Sequence, residues 1–418
     1  MSIGPTFDGT ARRLGGNKAM HADFVIVGSG IVGMATAYEL KARFPTAAVV
    51  IIEKEARPAV HASGRNSGVL HSGIYYGADT IKARVCAEGA RRMRQFADEY
   101  GIPFSCLGKV IIATSEADIP ALKRLMKNAQ DNAIRAELLD EQQIKSLEPY
   151  ANPCGYGIYS PDTCVIDSQR VAGVMHDLLV SKGVRFLFDN KVVKCEERGR
   201  YIVASQEKIN YGYMFNCAGA QADKIAAQYG LGEGYALVPF KGLYYKLAPS
   251  KSGYVRGNIY PAPDTSLPFL GVHFTRVASG DVYVGPTAIP ALGRENYGVI
   301  QGAGVLEVTQ ILRHLAALYI ENKNDFRRMV HEEIGKYSKG RFLSAAQKLV
   351  PDVKEADLLP SAKVGIRPQL VDLRGGKLVM DFVVEQTEHS LHVLNAISPA
   401  FTSAFKLSEL LVDMTGHK

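Results

Sequence analysis

The chain has 418 residues, of which 47% are hydrophobic and 22% are charged, a composition typical of a folded globular protein and unlike that of disordered or fibrous chains. This length exceeds what one simple core accommodates, so we expect two joined domains. The net charge of +7 suits an anionic substrate, a nucleic acid or an acidic membrane surface equally well. Because no long block of like charge is present, we expect no nucleic-acid partner.

Six cysteines are scattered along the chain without a C-x-x-C pair or an accompanying histidine cluster. We therefore expect no bound metal, and we expect free thiols in a reducing compartment. No apolar run approaches the roughly 18 residues that span a bilayer, and no secretory signal is visible. We expect a cytoplasmic protein, with peripheral contact at the inner face of the membrane as the open alternative. Residues 1–21 are predicted to be a disordered leader.

The first predicted elements form a β-α-β unit. Residues 24–27 are a buried apolar strand, residues 31–44 a helix, and residues 49–52 a second strand. Residues 59–77 then form a long loop rich in glycine, serine, asparagine and histidine, and a helix follows over about 79–100.

Later elements alternate between helix and strand. Strands are predicted at 110–113, 184–188, 214–217, 378–384 and 391–395, and helices at 116–133, 168–182, 303–321, 326–349 and 402–414. Between 237 and 290, short alternating strands with proline and glycine punctuation indicate an antiparallel sheet. Parallel α/β patterns at both ends, with mixed sheet between them, predict two interleaved domains in an α/β fold that is α+β overall.

A glycine motif, Gly28-Ser29-Gly30-Ile31-Val32-Gly33, connects the first strand to the first helix. Gly28 permits the tight turn, Gly30 lets the backbone approach a pyrophosphate, and Gly33 allows close packing of helix on strand. The helix N-terminus offers free N–H groups to that anion. Glu53, at the end of the second strand, suits a ribose hydroxyl and would repel a 2′-phosphate. A dinucleotide other than NADP is therefore predicted, although the unit alone does not separate FAD from NAD.

The loop after Glu53 carries a more specific string. Residues 66–76 (NSGVLHSGIYY) resemble the L-2-hydroxyglutarate dehydrogenase/oxidase family, within the D-amino-acid oxidase superfamily of flavoproteins. Further matching strings follow in the same order at 258–261, 268–275, 365–367 and 395–403, and the resemblance extends from Asp23 to about Leu411. It implies an FAD cofactor, a glutathione-reductase-like FAD-binding domain interleaved with a mixed or antiparallel-sheet substrate domain, and oxidation of a 2-hydroxy acid.

The resemblance also sets the expected domain boundaries and flavin contacts. The FAD-binding domain is expected over 22–100, 155–235 and 360–418, and the substrate domain over 101–154 and 236–359. Residues 216–219 look like the second flavin-contact turn of the superfamily. The residues expected to bind the cofactor are Gly28, Ser29, Gly30, Ile31, Gly33, Glu53, Lys54, Ser63, Arg65, Asn66, Ser67, Gly68, Val193, Ala218, Gly219, Ser398 and Thr402.

Oxidation of a 2-hydroxy acid needs a base for the hydroxyl proton and cations for the carboxylates. His71 and His273 lie in family-like strings and are the candidate bases, with a structural histidine as the alternative for each. Arg367 follows apolar residues, where an arginine needs a partner, and a substrate carboxylate or an internal ion pair would provide one. Lys241 is the candidate second anchor, and Tyr75 and Tyr260 are candidate hydroxyl donors that could equally pack in a core.

This chain departs from the family at four places. The family usually has histidine where Arg65 stands, arginine at Lys241, asparagine at Thr287, and Ala-Pro-Ser-Pro at 396–399. Arg65 and Lys241 keep positive charge, so the predicted substrate is L-2-hydroxyglutarate or a related anionic 2-hydroxy acid.

Two other functions and two electron acceptors stay open at this point. An amino-acid or amine oxidase could use the same scaffold, and a flavin-binding protein without turnover is the third hypothesis. The acceptor is predicted to be a quinone or oxygen. A basic region over 323–348 is either a solvated face or a surface that docks on anionic lipid.

Overall fold

The computed structural model describes residues 20–205, 207–264 and 269–417. The strands are β1 (Met20–Val27), β2 (Val49–Ile52), β3 (Val69–Leu70), β4 (Phe104–Ser105), β5 (Lys109–Ile112), β6 (Glu137–Asp140), β7 (Tyr156–Ser160), β8 (Cys164–Ile166), β9 (Arg185–Leu187), β10 (Val192–Glu196), β11 (Tyr201–Ala204), β12 (Lys208–Asn216), β13 (Tyr235–Leu247), β14 (Asn258–Pro261), β15 (His273–Arg276), β16 (Val282–Gly285), β17 (Ile289–Pro290), β18 (Leu358–Asp372), β19 (Lys377–Leu378), β20 (Val384–Gln386) and β21 (Ser390–Val393).

The α-helices are α1 (Ile31–Arg43), α2 (Ala62–Arg65), α3 (Ile81–Glu99), α4 (Ile119–Asp131), α5 (Glu141–Leu147), α6 (Ser168–Ser181), α7 (Ala222–Ala226), α8 (Val305–Glu321), α9 (Phe326–Gly335), α10 (Lys339–Gln347) and α11 (Ala400–Met414).

The first sheet has eight strands and contains the β-α-β unit. Strands β9, β2, β1, β12 and β21 lie side by side and are parallel, while β10, β11 and β20 add antiparallel pairs at the edges. Strands β1 and β2 are buried along their shared stretch, which explains their continuous apolar sequence. Helices α1, α3, α6 and α11 contribute to one core cluster with this sheet.

The second sheet has ten strands and is mostly antiparallel. Its longest pairing joins β13 to β18. The other eight strands of this sheet are β5, β6, β7, β14, β15, β16, β17 and β19. Helix α10 packs on this sheet in a separate core cluster. The strands of the two sheets alternate along the chain, so each structural unit is built from several segments.

The predicted domain boundaries need two corrections. Strand β7 pairs with β5 and β6, and β18 pairs with β13, so both strands belong to the second sheet although they lie within segments assigned to the FAD-binding domain. The leader prediction falls mostly outside the described residues, but Met20 and His21 are already paired with β12 and belong to β1.

Most predicted elements are present within a few residues of their expected ends. The helix predicted over 326–349 is two helices, α9 and α10, and the strand predicted over 378–384 is divided between β19 and β20. Residues 62–65 and 69–70 of the predicted loop form α2 and β3. Among the described residues, no helix combines the length and the apolar character needed to cross a bilayer.

The expectation that all six cysteines are free is wrong for one pair. Cys106 and Cys164 form a disulfide that links the end of β4 to β8 in a small three-stranded sheet. The sequence did not reveal this pair, because the two cysteines are 58 positions apart in the chain and only the sheet places them side by side. The same sheet contains β3, which leads directly into His71.

Candidate active site

The glycine turn between β1 and α1 requires glycine at two positions. Gly28 has a φ of +103°, and a Cβ there would lie 2.5 Å from the carbonyl oxygen of Cys217. A Cβ at Gly33 would lie 2.1 Å from the Gly28 carbonyl oxygen. The turn therefore brings β1, β12 and α1 together closely, and Gly30 and Ile31 at the start of α1 line a cavity. A helix N-terminus in this position suits a pyrophosphate.

Glu53 is fixed beside this turn. Its Oε2 accepts hydrogen bonds from the Ser29 backbone N–H at 2.9 Å and the Ser29 hydroxyl at 2.8 Å, and its Oε1 accepts one from the backbone N–H of Glu55 at 3.0 Å. Glu53 also lines the cavity. An ionised carboxylate held in this way suits hydroxyl donors of a ribose and disfavours a phosphate.

The loop after Glu53 closes over the start of α1. The Ser63 hydroxyl accepts a hydrogen bond from the Ile31 backbone N–H at 2.9 Å. Asn66 fastens the loop, since its side chain donates to the Ser63 carbonyl at 2.6 Å and accepts from the Gly68 N–H at 2.7 Å. Arg65 lies 3.9 Å above the Tyr297 ring and also lines the cavity.

One continuous cavity of about 460 Å³ joins these segments to the second sheet. Its lining includes these residues predicted from the sequence: Gly28, Gly30, Ile31, Glu53, Lys54, Ser63, Arg65, Asn66, Ser67, His71, Ala218, Gly219, Tyr260, His273, Arg367, Ser398 and Thr402. The glycine turn, the fixed carboxylate and a cavity lined by a helix N-terminus fit a dinucleotide such as FAD. The same cavity continues to the N-terminus of α11 and to the two histidines.

Three predicted cofactor residues act from behind the cavity wall. Ser29 holds Glu53, and Gly33 permits the packing of α1 on β1. Gly68 has a φ of +78°, and a Cβ there would lie 2.2 Å from the Ile166 carbonyl oxygen, so its glycine is required by β8. None of these three lines the cavity.

Val193 was predicted to contact the cofactor and does not line the cavity. Its side chain is 64% exposed on β10, whereas the preceding residue, Val192, lines the cavity. Successive side chains of a strand point to opposite faces, so a shift of one residue reverses the assignment.

Lys241 is also misplaced by the sequence prediction. On β13, Phe240, Gly242 and Tyr244 line the cavity, and Lys241 lies on the opposite face. Its ammonium donates to Asn296 Oδ1 at 2.9 Å and to the Gly298 carbonyl at 2.6 Å. Lys241 therefore fastens the 292–301 loop and does not contact a ligand in the cavity.

Tyr75 is the last predicted residue outside the cavity lining. Its hydroxyl is buried, and no hydrogen-bond partner for it is present among the described residues. Tyr260, by contrast, is buried and lines the cavity.

His273 lines the cavity and is held in one tautomer. Its Nδ1 lies 2.8 Å from the Gly271 carbonyl oxygen, which accepts only, so Nδ1 carries the proton and Nε2 of the neutral ring is an acceptor. The ring stacks on Tyr260, with centroids 3.8 Å apart. Burial, assisted by repulsion from Lys109, lowers the pKa of His273 to about 3, so the ring is neutral at neutral pH.

His71 is fixed by its backbone. Its N–H donates to the Thr402 hydroxyl at 3.3 Å, and its carbonyl accepts from the Cys86 thiol at 3.4 Å. Thr402 also donates to the Val69 carbonyl at 3.2 Å, so the first turn of α11 fastens the segment that carries His71. Burial, then repulsion from Lys109, lowers the pKa of His71 to about 3. The cavity thus contains two neutral histidines.

Arg367 supplies positive charge to the same region. It lies on β18, and its guanidinium is 5.2 Å from the centroid of the Phe269 ring. Burial lowers the pKa of Arg367 to about 10, and the Tyr76 phenol partly offsets this effect. The guanidinium is still protonated at neutral pH, so it can bind a carboxylate.

Sequence reasoning missed Lys109, which is buried beside both histidines. The predicted strand began at Val110, one residue too late, and so excluded the lysine. A lysine at the first position of an otherwise apolar strand was the available signal, because a buried ammonium needs a reason.

The described residues contain one cluster of potential metal ligands, formed by Glu55, His61 and Glu295. The ammonium of Lys54 already lies within this cluster and forms ion pairs with both carboxylates. These pairs hold the pKa of Glu55 below its usual range. The cluster is therefore an internal ion-pair network beside the predicted ribose site.

Comparison with known proteins gives consistent results for sequence and structure. The most similar solved structures include L-α-glycerophosphate oxidase from Mycoplasma pneumoniae with FAD bound (TM-score 0.77, 20% identity, 95% of each chain). Glycine oxidase from Geobacillus kaustophilus is also similar (TM-score 0.68, 17% identity, 94% of each chain). At this level of identity the likeness shows a shared fold.

Relatives with higher identity include three proteins named L-2-hydroxyglutarate dehydrogenase. That of Indibacter alkaliphilus is 36% identical over 93% of this chain and 97% of its own length. That of Escherichia coli strain K12 is 33% identical (93% and 92%), and the mitochondrial protein of Homo sapiens is 35% identical (94% and 88%). The model of the FAD dependent oxidoreductase family matches residues 23–414. The chain therefore belongs to the family of FAD-dependent oxidoreductases.

Proposed function

We propose that this chain oxidises L-2-hydroxyglutarate to 2-oxoglutarate with FAD as the cofactor. The observation that carries the proposal is the presence of one arginine and two neutral histidines in the lining of one cavity. An anionic hydroxy acid needs a cation for its carboxylate and a base for its hydroxyl proton. Relatives of this chain at 33–36% identity bear the name of that activity, which supports this choice of acid.

The cofactor would be held by residues already described. Gly28, Gly30 and the N-terminus of α1 would contact the pyrophosphate, and Glu53 would contact the ribose. Residues 397–402, at the N-terminus of α11, would lie beside the ring system, where the positive end of the helix dipole favours negative charge. When bound, FAD supplies a two-electron acceptor for the hydride from C2 of the substrate.

His273 is the proposed general base. Because its Nδ1 donates to the Gly271 carbonyl, its Nε2 lone pair is available to take the proton from the C2 hydroxyl. His71 is the proposed second contact to that hydroxyl, since it is also neutral and lines the cavity. Arg367 binds the carboxylate next to C2 and so orients the substrate for hydride departure.

We further propose that the electron acceptor is a membrane quinone. The basic region 323–348 supports this less than the sequence suggested, because two of its arginines have partners within the protein. Arg327 donates to two backbone carbonyls at the end of α8, and Arg328 pairs with Asp264, Asp325 and Glu332.

An apolar surface nearby is a better candidate for membrane contact. Val299 and Ile300 are 87% and 76% exposed, and Val305 and Leu306 at the start of α8 are both 82% exposed. Residues 299–306 contain no charged side chain. Exposed apolar residues clustered in this way mark interaction surfaces, and Arg313 on α8 would face anionic headgroups. We call residues 299–306 the apolar surface.

The function is tested by steady-state turnover with a dye acceptor. The purified protein should oxidise L-2-hydroxyglutarate. The values of kcat/KM for the D enantiomer, L-lactate, glycine and L-proline should be at least about tenfold lower, because each of these compounds lacks the required geometry or one charge. Faster turnover of glycine or L-proline would replace the proposal with an amino-acid oxidase.

A further inference from the structure

Lys109 is a buried cation without a counter-ion among the described residues. It is the first residue of β5 and is 1% exposed. Its ammonium has no hydrogen-bond partner in the described part of the chain. The ammonium lies 4.4 Å from the centroid of the Tyr75 ring and 5.1 Å from that of Tyr260. Cation–π contact compensates only part of the cost of removing an ammonium from water.

The groups that face Lys109 are neutral. They are Tyr75 and Tyr260, the thiol of Cys86 on α3, and the two histidines, whose pKa values Lys109 helps to lower. Burial lowers the pKa of Lys109 itself to about 7, and Cys86 is the one titratable group that opposes this effect. An anion that entered the neighbouring cavity would therefore stabilise the protonated lysine, and the lysine would stabilise the anion.

The stacked rings of Tyr260 and His273 form a part of the cavity wall that lies close to Lys109. Tyr260 lines the cavity on one side, has Lys109 near its ring and stacks on His273. Lys241, the anchor expected from the sequence for a second carboxylate, faces the 292–301 loop instead. Arg367 in the lining and Lys109 behind the Tyr260–His273 wall are therefore the candidate cations for the two carboxylates of a dicarboxylate.

We propose that Lys109 is a positioning residue that selects dicarboxylate substrates, by placing a second positive charge behind the Tyr260–His273 wall while Arg367 binds the first carboxylate. This inference rests on the proposed function, because it concerns the same acid. An ammonium behind one aromatic ring attracts a carboxylate in a partly buried setting, and we expect this attraction to change binding at least about tenfold. The ammonium contacts no reacting atom and acts through the field across the Tyr260 ring.

Substitution Lys109→Met tests the inference, because methionine keeps most of the length and removes the charge. The ratio of kcat/KM for L-2-hydroxyglutarate to that for L-lactate should fall at least about tenfold, through a higher KM for the dicarboxylate with kcat within about threefold. The matched control is Lys41→Met, which also removes a buried lysine. The ammonium of Lys41 has partners, because it donates to the carbonyls of Pro45 and Ala47. That control should leave the ratio unchanged.

Thermal denaturation separates this role from a packing role. Removal of an unpaired buried charge should keep or raise the melting temperature of Lys109→Met, whereas Lys41→Met leaves two carbonyls without their donor and should lower it. If Lys109→Met melts lower and loses activity toward both acids equally, Lys109 is structural and the inference is wrong.

A second measurement does not depend on any variant at Lys109. Glutarate, a dicarboxylate without the reacting hydroxyl, is titrated into the FAD-loaded native protein and followed by flavin absorbance. Its dissociation constant should rise at least about fivefold between pH 6 and pH 9 as Lys109 loses its proton, and that of acetate should rise less. Burial also lowers the pKa of Lys82, beside Arg367, to about 7, so Lys82→Met is included and should retain the difference between glutarate and acetate.

The outcomes distinguish the two proposals. A native protein that does not prefer L-2-hydroxyglutarate to L-lactate contradicts the proposed function. If the native protein has that preference and Lys109→Met retains it, only the proposed role of Lys109 is contradicted. The same holds if glutarate binding to the native protein does not depend on pH.

Discussion

The Tyr260 ring stacks on the His273 ring, with centroids 3.8 Å apart and planes 17° apart. The stack fixes the imidazole plane, and the hydrogen bond from Nδ1 to the Gly271 carbonyl fixes its rotation and tautomer. A neutral histidine that is held in this way is prepared to accept a proton at Nε2 without reorganisation. Replacement of His273 and the pH dependence of flavin reduction both test that arrangement.

Replacement of His273 by asparagine should slow reduction of the bound flavin by L-2-hydroxyglutarate at least about 100-fold, because general-base catalysis contributes about that much or more. Anaerobic stopped-flow absorbance measures this rate directly. The FAD content of the variant should match that of the native protein, which serves as the control for folding. A rate within threefold of native would assign the base to another group, with His71 as the next candidate.

The pH dependence of flavin reduction should show no loss attributable to histidine between pH 8 and pH 5. A base with a lowered pKa stays unprotonated, and therefore active, until the pH approaches that pKa, which is about 3 for both His71 and His273. The rate constant at saturating substrate is the quantity to measure. An acidic limb near pH 6.5 would mean that the histidine acting as the base keeps an ordinary pKa, which contradicts this prediction.

Arg367→Met should lower kcat/KM for both L-2-hydroxyglutarate and L-lactate by about ten- to a hundredfold, because both acids carry the carboxylate that the guanidinium binds. Lys241→Met should instead leave both constants within about twofold and lower the melting temperature, since its ammonium fastens the 292–301 loop. Steady-state kinetics of the two variants side by side checks both statements. A specific loss of dicarboxylate turnover in Lys241→Met would return that lysine to the substrate site.

Glu53→Gln should weaken FAD retention, since an amide keeps the size of the side chain but loses the charge that receives hydrogen bonds from Ser29 and would receive those of a ribose. Released flavin after desalting gives the occupancy, and Asp23→Asn at the start of the first sheet is the control. Equal occupancy in the two variants would show that Glu53 does not contact the cofactor.

Serine substitutions at Val299, Ile300 and Leu306 should reduce co-sedimentation with anionic liposomes at least about fivefold, because the apolar surface would lose the side chains that enter the lipid. Turnover with a water-soluble dye should be unchanged, while turnover with a quinone in liposomes should fall. If the native protein does not bind liposomes and uses oxygen as fast as a quinone analogue, the membrane proposal is wrong.

The stability of the native protein should rise between about pH 7 and pH 10 relative to Lys109→Met. Burial lowers the pKa of Lys109 to about 7, so the unfolded chain binds its proton more tightly than the folded chain across that interval. Below pH 7 the folded protein carries the whole cost of the buried charge. Chemical denaturation of both proteins at pH 6, 8 and 9.5 gives the free energy of unfolding of each. The difference between the two free energies should become smaller as the pH rises.

The sequence was sufficient for the β-α-β unit, because a glycine motif between two apolar strands allows few other structures. It was insufficient wherever one residue of register decides the face of a strand. Lys241 and Val193 were assigned to the cavity, and the residues that line it are their neighbours Phe240 and Val192. Side-chain direction in these strands is set by pairing with distant segments, such as the register of β13 against β18.

The tautomer of His273 and the charge behind it were also beyond local sequence. The tautomer depends on the Gly271 carbonyl, and the environment of Lys109 depends on rings that arrive from the segment after β3 and from β14. The resemblance of short strings identified both histidines and Arg367 as candidates, but only the fold shows that all three line one cavity.

We propose that one cavity binds both FAD and L-2-hydroxyglutarate, and that the substrate is oxidised there. It is tested most directly by anaerobic titration of the FAD-loaded protein with L-2-hydroxyglutarate, with 2-oxoglutarate measured at each step. We expect complete bleaching of the flavin at one equivalent of substrate, with one equivalent of 2-oxoglutarate formed. A flavin that stays oxidised in excess L-2-hydroxyglutarate, or that is bleached by glycine or L-proline in its place, would contradict it.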